Sequence, residues 1–322
     1  MAETTGWISC DDGAKLFVRR WMAGTEKPAA VILLVHGMAE HSQRYSRLAA
    51  ALCSRGFEVW AADLRGHGKT ADISVNKAND GGLLGHTADK NGFFCVVNDL
   101  QRVTRYIAEK TKAEYGGLPF FILGHSWGSF LVQAYIENPV KEVPLAGCIL
   151  SGTRGPGGLK IAFGAPLLAL IALLKGSGKV SQIALALSKG PYNKPFKPNR
   201  TSSDWLSRDE KEVDAYEADP LCGFDCSAGF FRDMARALAK IHRKKAIARI
   251  HKNLPVYIFC GSADPVGDMG RSPTALVTAY RENGINDLEF VVYPDARHET
   301  LNETNREEVT DDLLNWLLRH IK

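Results

Sequence analysis

Six short runs of apolar residues recur along the chain, at 31–35, 57–62, 120–123, 146–150, 256–260 and 288–293, each closed off by turn-forming residues. They are continuous rather than alternating. A strand covered on one face alternates apolar with polar side chains, whereas a strand sandwiched between helices needs no polar position. These runs therefore predict a mostly parallel sheet buried on both faces. Between them, apolar residues return at helical spacing, as Val96, Leu100, Val103 and Ile107 do, and again as Val309, Leu313, Trp316 and Leu317. Thr304 followed by Glu307 has the spacing of a capping box and predicts the start of that last helix. Residues 6–9 and 15–21 flank Asp11-Asp12-Gly13 and predict a hairpin at the sheet edge. Strand and helix in alternation predict a doubly wound α/β fold with helices on both faces of the central sheet.

The alternation fails between Thr153 and Leu254. Gly155-Pro156-Gly157-Gly158 opens this segment, the greasy stretch 161–174 follows, and 183–187 adds more apolar surface. The stretch from Ile161 to Leu174 is interrupted by Pro166 and falls short of the about 18–20 residues that cross a bilayer. Residues 153–254 hold 18 Lys+Arg and 9 Asp+Glu, a net of +9, which leaves 22 and 27, a net of −5, for the rest. The expected organisation is a helical cap, 153–254, inserted into a core made of 1–152 and 255–322. Such a cap reads either as an ordinary helical subdomain, its apolar face packed on the core and its charges solvated, or as a lid that touches an anionic lipid surface transiently, and the two readings are compatible.

The chain of 322 residues carries 40 Lys+Arg and 36 Asp+Glu, a formal charge of +4, too slight a bias for a nucleic-acid binder. Its 45% of apolar residues excludes wholesale disorder. Met1 to Trp7 shows neither a basic nor an apolar leader segment, so no secretory signal is expected. The seven cysteines, at 10, 53, 95, 148, 222, 226 and 260, are scattered and read as reduced thiols of a cytoplasmic protein. Cys222 and Cys226 stand close, but zinc needs four ligands, so neither a metal nor another cofactor is expected.

Gly124-His125-Ser126-Trp127-Gly128 follows the third apolar run, 120–123, and opens a helical pattern. A nucleophile on such a sharp turn projects above the sheet, and the residues two away on either side must lack side chains or strand and helix collide. A serine hydroxyl needs a base, and the base needs an acid to orient it. His298, between the last strand and the last helix, is the histidine best placed at a strand's carboxyl end. His125 adjoins the serine and should point elsewhere. Asp264, just after the strand at 256–260, fits the acid, with Asp268 the nearest rival. The Trp127 N–H, and the Met38 N–H after strand 31–35, are the candidate oxyanion donors.

The stretch His36-Gly37-Met38-Ala39-Glu40-His41-Ser42-Gln43-Arg44-Tyr45 resembles the H-G-x-x-E-H-S-x-R-Y segment of the monoacylglycerol lipase and lysophospholipase group of α/β-hydrolases. Asp63-Leu64-Arg65-Gly66-His67-Gly68 is similar to that group's D-x-R-G-H-G loop, and the serine, acid and histidine segments come in the group's order. The resemblance covers about 1–152 and 253–322. It implies the α/β-hydrolase fold and a metal-free serine hydrolase of monoacylglycerols, lysophospholipids or related carboxylic esters. The elbow departs from the group at Trp127 and Ser129, and an indole beside the nucleophile would narrow the acyl pocket. Glu40, Arg65 and His67 are expected to hold these loops by pairing with one another. Two other readings remain: a small-ester esterase or serine peptidase on the same fold, and a ligand-binding protein without turnover.

Overall fold

The chain begins with an antiparallel hairpin, β1 (Ala2–Ser9) and β2 (Lys15–Met22), which holds one edge of the sheet. Six strands follow: β3 (Ala30–Val35), β4 (Phe57–Ala62), β5 (Phe120–His125), β6 (Leu145–Ser151), β7 (Val256–Gly261) and β8 (Leu288–Tyr293). Their order is β1-β2-β4-β3-β5-β6-β7-β8. β2 meets β4 antiparallel, and every pairing from β4 to β8 is parallel. The computed structural model describes residues 1–188 and 190–321, of which 158–163 by backbone alone; Lys189 and Lys322 lie outside the described residues.

Alternate side chains of each central strand enter two separate cores, which is why the runs are almost wholly apolar; the one buried exception, Glu58 of β4, is matched by Arg20. Val31, Leu33 and Val35 of β3 pack on one face with Phe120 and Ile122 of β5; Ile32 and Leu34 pack on the other with Phe121 and Leu123. The second face is covered by α1 (Ser46–Ser54), through Leu48 and Leu52. The first is covered by α2 (Gly92–Tyr115), through Val96, Leu100 and Val103, and by α3 (Trp127–Ile136). Fully burying one such side chain is worth about 1.5–3 kcal/mol, so a one-residue slip of any central strand would exchange its contributions to both cores.

Between β6 and β7 lie α4 (Gly158–Lys175), α5 (Gln182–Ser188), α6 (Glu210–Ala218), α7 (Ala228–Ile241) and α8 (Lys244–Ile247). The greasy stretch at 161–174 falls in α4, which continues through Pro166; the side chains of Ile161, Ala162 and Phe163 lie outside the described residues. α9 (Arg271–Glu282) and α10 (Arg306–His320) complete the chain, α9 joining the first face and α10 the second.

Two local expectations are corrected. α10 starts after Asn305, not at a Thr304 cap, and the Asn305 side chain donates to Glu308 Oε2 at 2.8 Å. Thr304 instead turns its hydroxyl to Glu303 Oε2 at 3.4 Å. β8 is not buried on both faces: Glu289 and Val292 are exposed, because β8 is an edge strand with a neighbour on one side only.

Candidate active site

The turn between β5 and α3 places Ser126 at φ 52° and ψ −122°, a backbone conformation that L side chains rarely adopt. Its flanking glycines explain how the turn closes. A Cβ on Gly124 would lie 2.5 Å from the Gly128 carbonyl oxygen, and one on Gly128 would lie 2.2 Å from the Val35 carbonyl oxygen. The Ser126 N–H donates to the Ser151 carbonyl at 2.9 Å, so the neighbouring strand β6 fixes the elbow from the side.

His298 and Asp264 come to this point from two other loops at the carboxyl edge of the sheet. Asp264 follows β7 and His298 follows β8. His298 Nε2 lies 2.8 Å from Ser126 Oγ, and His298 Nδ1 lies 2.9 Å from Asp264 Oδ1. A carboxylate only accepts, so Nδ1 carries the hydrogen and Nε2 keeps its lone pair toward the serine. Asp264 Oδ1 also accepts the Val266 N–H at 2.8 Å, which fixes the carboxylate plane. Both Asp264 and His298 are buried, and Ser126 is half-buried. Burial works against a charged imidazole, but the Asp264 carboxylate, with Glu299 and Glu40 behind it, holds His298 above the ordinary imidazole value.

Asp268 takes no part in this chain of bonds. It sits at φ 53° with its Oδ1 accepting from Arg271 Nη2 at 2.9 Å. His125 turns away from Ser126, its Nδ1 3.2 Å from Ser151 Oγ, but its ring packs 4.9 Å from the His298 ring. Burial and the charge of His298 push His125 down to about 4, so it stays neutral there.

Met38 and Trp127 both line the cavity that opens over Ser126. Among the described residues neither backbone N–H is used within the chain. The Trp127 indole is pinned from behind by the stacked His67 ring at 5.0 Å and by Phe230 at 4.8 Å. Burial pushes His67 down to about 3, so the stack is with a neutral ring. The cavity has a volume of about 370 Å³ and is walled by Phe130, Met234, Leu238 and Val266 as well as Trp127.

The charged loop residues do not pair with one another. Arg65 forks onto Asp99 at 2.6 and 2.7 Å. His67 Nδ1 lies 2.8 Å from the Arg65 carbonyl oxygen. Glu40 is held by Arg44, Tyr45 and the Gly37 N–H. Glu40 and His67 are held by neighbours within five positions, and only Arg65 draws its carboxylate from a distant element, α2. Cys222 does meet other donors, His41 and Asp219, all within 4.8 Å. The His41 Nε2 to Asp219 Oδ2 bond of 2.9 Å accounts for that pair, and burial pushes the Cys222 thiol far up, which disfavours the thiolate a metal would need.

Sequence reasoning missed the contribution of the segment between β6 and β7. The Trp205 ring lies 5.1 Å from the His298 ring, and the Glu299 N–H donates to the Leu206 carbonyl at 2.7 Å. The Tyr216 hydroxyl donates to the Ala39 carbonyl at 2.9 Å. No spacing or motif marks these positions.

Residues 26–305 match the protein family described as serine aminopeptidase, S33. The chain is 28% identical over 312 residues to a monoacylglycerol lipase of Mycolicibacterium smegmatis, spanning 96% of this chain and 95% of that one. It is 31% identical over 263 residues to the monoglyceride lipase of Homo sapiens, spanning 80% and 72%. Among solved structures, a thermostable carboxyl esterase of Bacillus coagulans in complex with glycerol superposes over 100% of both chains with a TM-score of 0.86 at 26% identity.

Proposed function

The chain belongs to the serine aminopeptidase family of α/β-hydrolases, and from that premise we propose that it is a carboxylic ester hydrolase in which Ser126, His298 and Asp264 act as one acyl-transfer unit. The observation that carries the proposal is the continuous hydrogen-bond line of 2.8 and 2.9 Å from hydroxyl to imidazole to carboxylate. Ser126 attacks the ester carbonyl as its proton passes to His298 Nε2. Asp264 holds the tautomer and stabilises the imidazolium. The Met38 and Trp127 N–H groups receive the oxyanion, each donor being worth about 3–4 kcal/mol in such sites. The imidazolium then protonates the leaving alcohol. His298 next draws a proton from water, which attacks the acyl-enzyme, and passes that proton to Ser126 Oγ as the acid leaves.

The apolar walls of the cavity favour a hydrocarbon acyl chain, as in monoacylglycerols and lysophospholipids. A peptidase that reads a free α-ammonium would need an available carboxylate. The two acidic residues lining the cavity, Glu40 and Glu299, are both bonded to Arg44. We assign 153–254 as the cap, on the strength of Trp205, Leu206 and Tyr216, which reach the site from it. The cap also carries the proposed lipid contact. Leu173 and Leu174 of α4 are 79% and 75% exposed, Ile183 and Leu187 of α5 are exposed too, and Lys175 and Lys179 lie beside them. Exposed apolar tips with lysines close by in the chain fit an anionic lipid surface. Among the described residues no helix is long and apolar enough to cross a membrane.

A panel of monoacylglycerols and p-nitrophenyl esters of graded chain length tests the function. Rates that rise with acyl length support it. Preference for acetyl esters, or for aminoacyl amides, would replace the lipid-ester reading with an esterase or peptidase.

A further inference from the structure

Arg154 lies just beyond β6, three positions past Ser151, where the cap leaves the core. It lines both the cavity over Ser126 and an adjoining groove of about 780 Å³ that runs between α4 and α9. Its backbone is fixed. Gln133 Nε2 donates to the Arg154 carbonyl at 3.0 Å and to Thr153 Oγ1 at 2.8 Å, and the next N–H, of Gly155, donates to Ser272 Oγ at 3.0 Å.

Its side chain, by contrast, is left without a counter-charge. The Nε atom is buried and makes no hydrogen bond, and no carboxylate pairs with the guanidinium among the described residues. Among the described residues the buried arginines meet carboxylates, Arg19 with Glu3, Arg20 with Glu58 and Glu114 and Arg65 with Asp99 and Asp12, as does the half-buried Arg44 with Glu40 and Glu299; the half-buried Arg102 and Arg297 donate to backbone carbonyls instead. The acids that line the same walls are spoken for. Glu40 and Glu299 belong to Arg44, and Asp268 in the groove accepts from Arg271. The groups that feel Arg154 are the His242 imidazole, pushed down to about 4 by burial and by this guanidinium, and the Tyr192 phenol. Neither offers a negative charge. An arginine left half-dry and unpaired at a cavity wall is costly unless a ligand completes it.

We infer that Arg154 recognises an oxyanion carried by the substrate, and that the preferred substrates are acyl esters whose alcohol portion bears a phosphate or carboxylate. This rests on the ester-hydrolase reading and sharpens it, because a fatty acyl chain is hydrocarbon and the charge must reside on the alcohol. The planar guanidinium gives a paired-donor contact to either oxyanion. Neutral monoacylglycerols lack any group that satisfies it.

The test uses octanoyl esters kept monomeric, so that charge on a lipid surface plays no part: octanoylglycerol, octanoylglycerol phosphate and the octanoyl ester of lactate. For the wild-type protein kcat/KM for a charged ester exceeds that for octanoylglycerol by roughly 10- to 100-fold, the range of one charge-assisted pair. Arg154→Met brings that ratio to about one, and Arg154→Lys restores part of it. Glycerol 3-phosphate, a competitive inhibitor of p-nitrophenyl octanoate cleavage by the wild type, weakens at least tenfold in Arg154→Gln. A gain with phosphate alone, with carboxylate alone or with both supports the inference and identifies the anion. A wild-type preference for the neutral ester, or a ratio unmoved in Arg154→Met and Arg154→Gln, overturns it while leaving ester hydrolysis intact. Turnover of none of the esters, or turnover that survives Ser126→Ala, overturns the hydrolase reading itself.

Discussion

Arg44 and Glu299, 255 positions apart in the chain, meet through two parallel hydrogen bonds of 2.7 Å. Arg44 also reaches Glu40 Oε2 at 2.7 Å, and Glu40 Oε1 receives the Tyr45 hydroxyl at 2.9 Å and the Gly37 N–H at 2.5 Å. One guanidinium thus ties the loop that carries Met38 to the loop that carries His298. Burial would raise both carboxyls, but Arg44 overrides it: Glu299 is held down to about 2 and Glu40 below its usual range. Both remain anionic behind the imidazole.

This pair acts as a positioning device with an electrostatic signature. The proposed base must be neutral, and Glu299 is among the groups that hold His298 above its ordinary value. Glu299→Gln therefore shifts the acid limb of the kcat/KM profile to lower pH and lowers kcat by roughly tenfold, the scale of supporting-residue losses. A purely structural role would lower the melting temperature and leave the limb in place.

Asp264→Asn is expected to lower kcat by about 10⁴, because an amide donating to Nδ1 selects the wrong tautomer. Asp268→Asn, which loses a partly exposed contact to Arg271, should stay within a few-fold of wild type. The opposite pattern in steady-state kinetics would transfer the acid's role to Asp268.

Much of this arrangement was legible because local chemistry forced it. The two-core burial of β3 and β5 leaves continuous apolar runs, and the tight elbow requires Gly124 and Gly128. Loop order along the chain pointed to Asp264 and His298. The rest depends on partners that only the folded chain supplies. Nothing adjacent to Arg44 announces Glu299, and nothing in the cap's composition singles out Trp205 or the unpaired Arg154. The Thr304 capping signal failed for a similar reason: Glu303, buried and bonded to Arg208 at 2.9 Å, takes that hydroxyl first.

Acid should destabilise the fold well above the carboxylate range. Burial pushes His67 down to about 3, and His125 and His242 down to about 4. Their folded pKa values lie below the unfolded value of 6.5, so the unfolded chain binds protons first. The stability they contribute is complete above that value and is lost as pH falls toward 4. His298 runs the other way, its contribution being lost as pH rises through its raised pKa. Burial lowers His36 and His86 as well, which act with these three, while the Glu137 carboxyl, pushed up by burial to about 8, and the raised Asp99 act with His298; five against three, the urea midpoint falls between pH 7 and pH 5. An unchanged or higher midpoint at pH 5 would contradict the neutral, buried state of these rings.

The lipid contact has its own test. Leu173→Glu with Leu174→Glu replaces two exposed apolar tips by anions without touching the cavity walls. In flotation with anionic vesicles the wild type should rise with the lipid and the double variant should not, while both hydrolyse monomeric octanoyl esters alike. Wild type that stays with the protein fraction on anionic and neutral vesicles alike removes the contact.

The most direct measurement is covalent labelling with a fluorophosphonate followed by peptide mapping. One adduct is predicted, on the Ser126 hydroxyl, formed quickly in the wild type, slowed by orders of magnitude in His298→Ala and Asp264→Asn, and absent in Ser126→Ala. An adduct on any other residue, or undiminished labelling when the imidazole is removed, would contradict the proposal that these three side chains work as one unit.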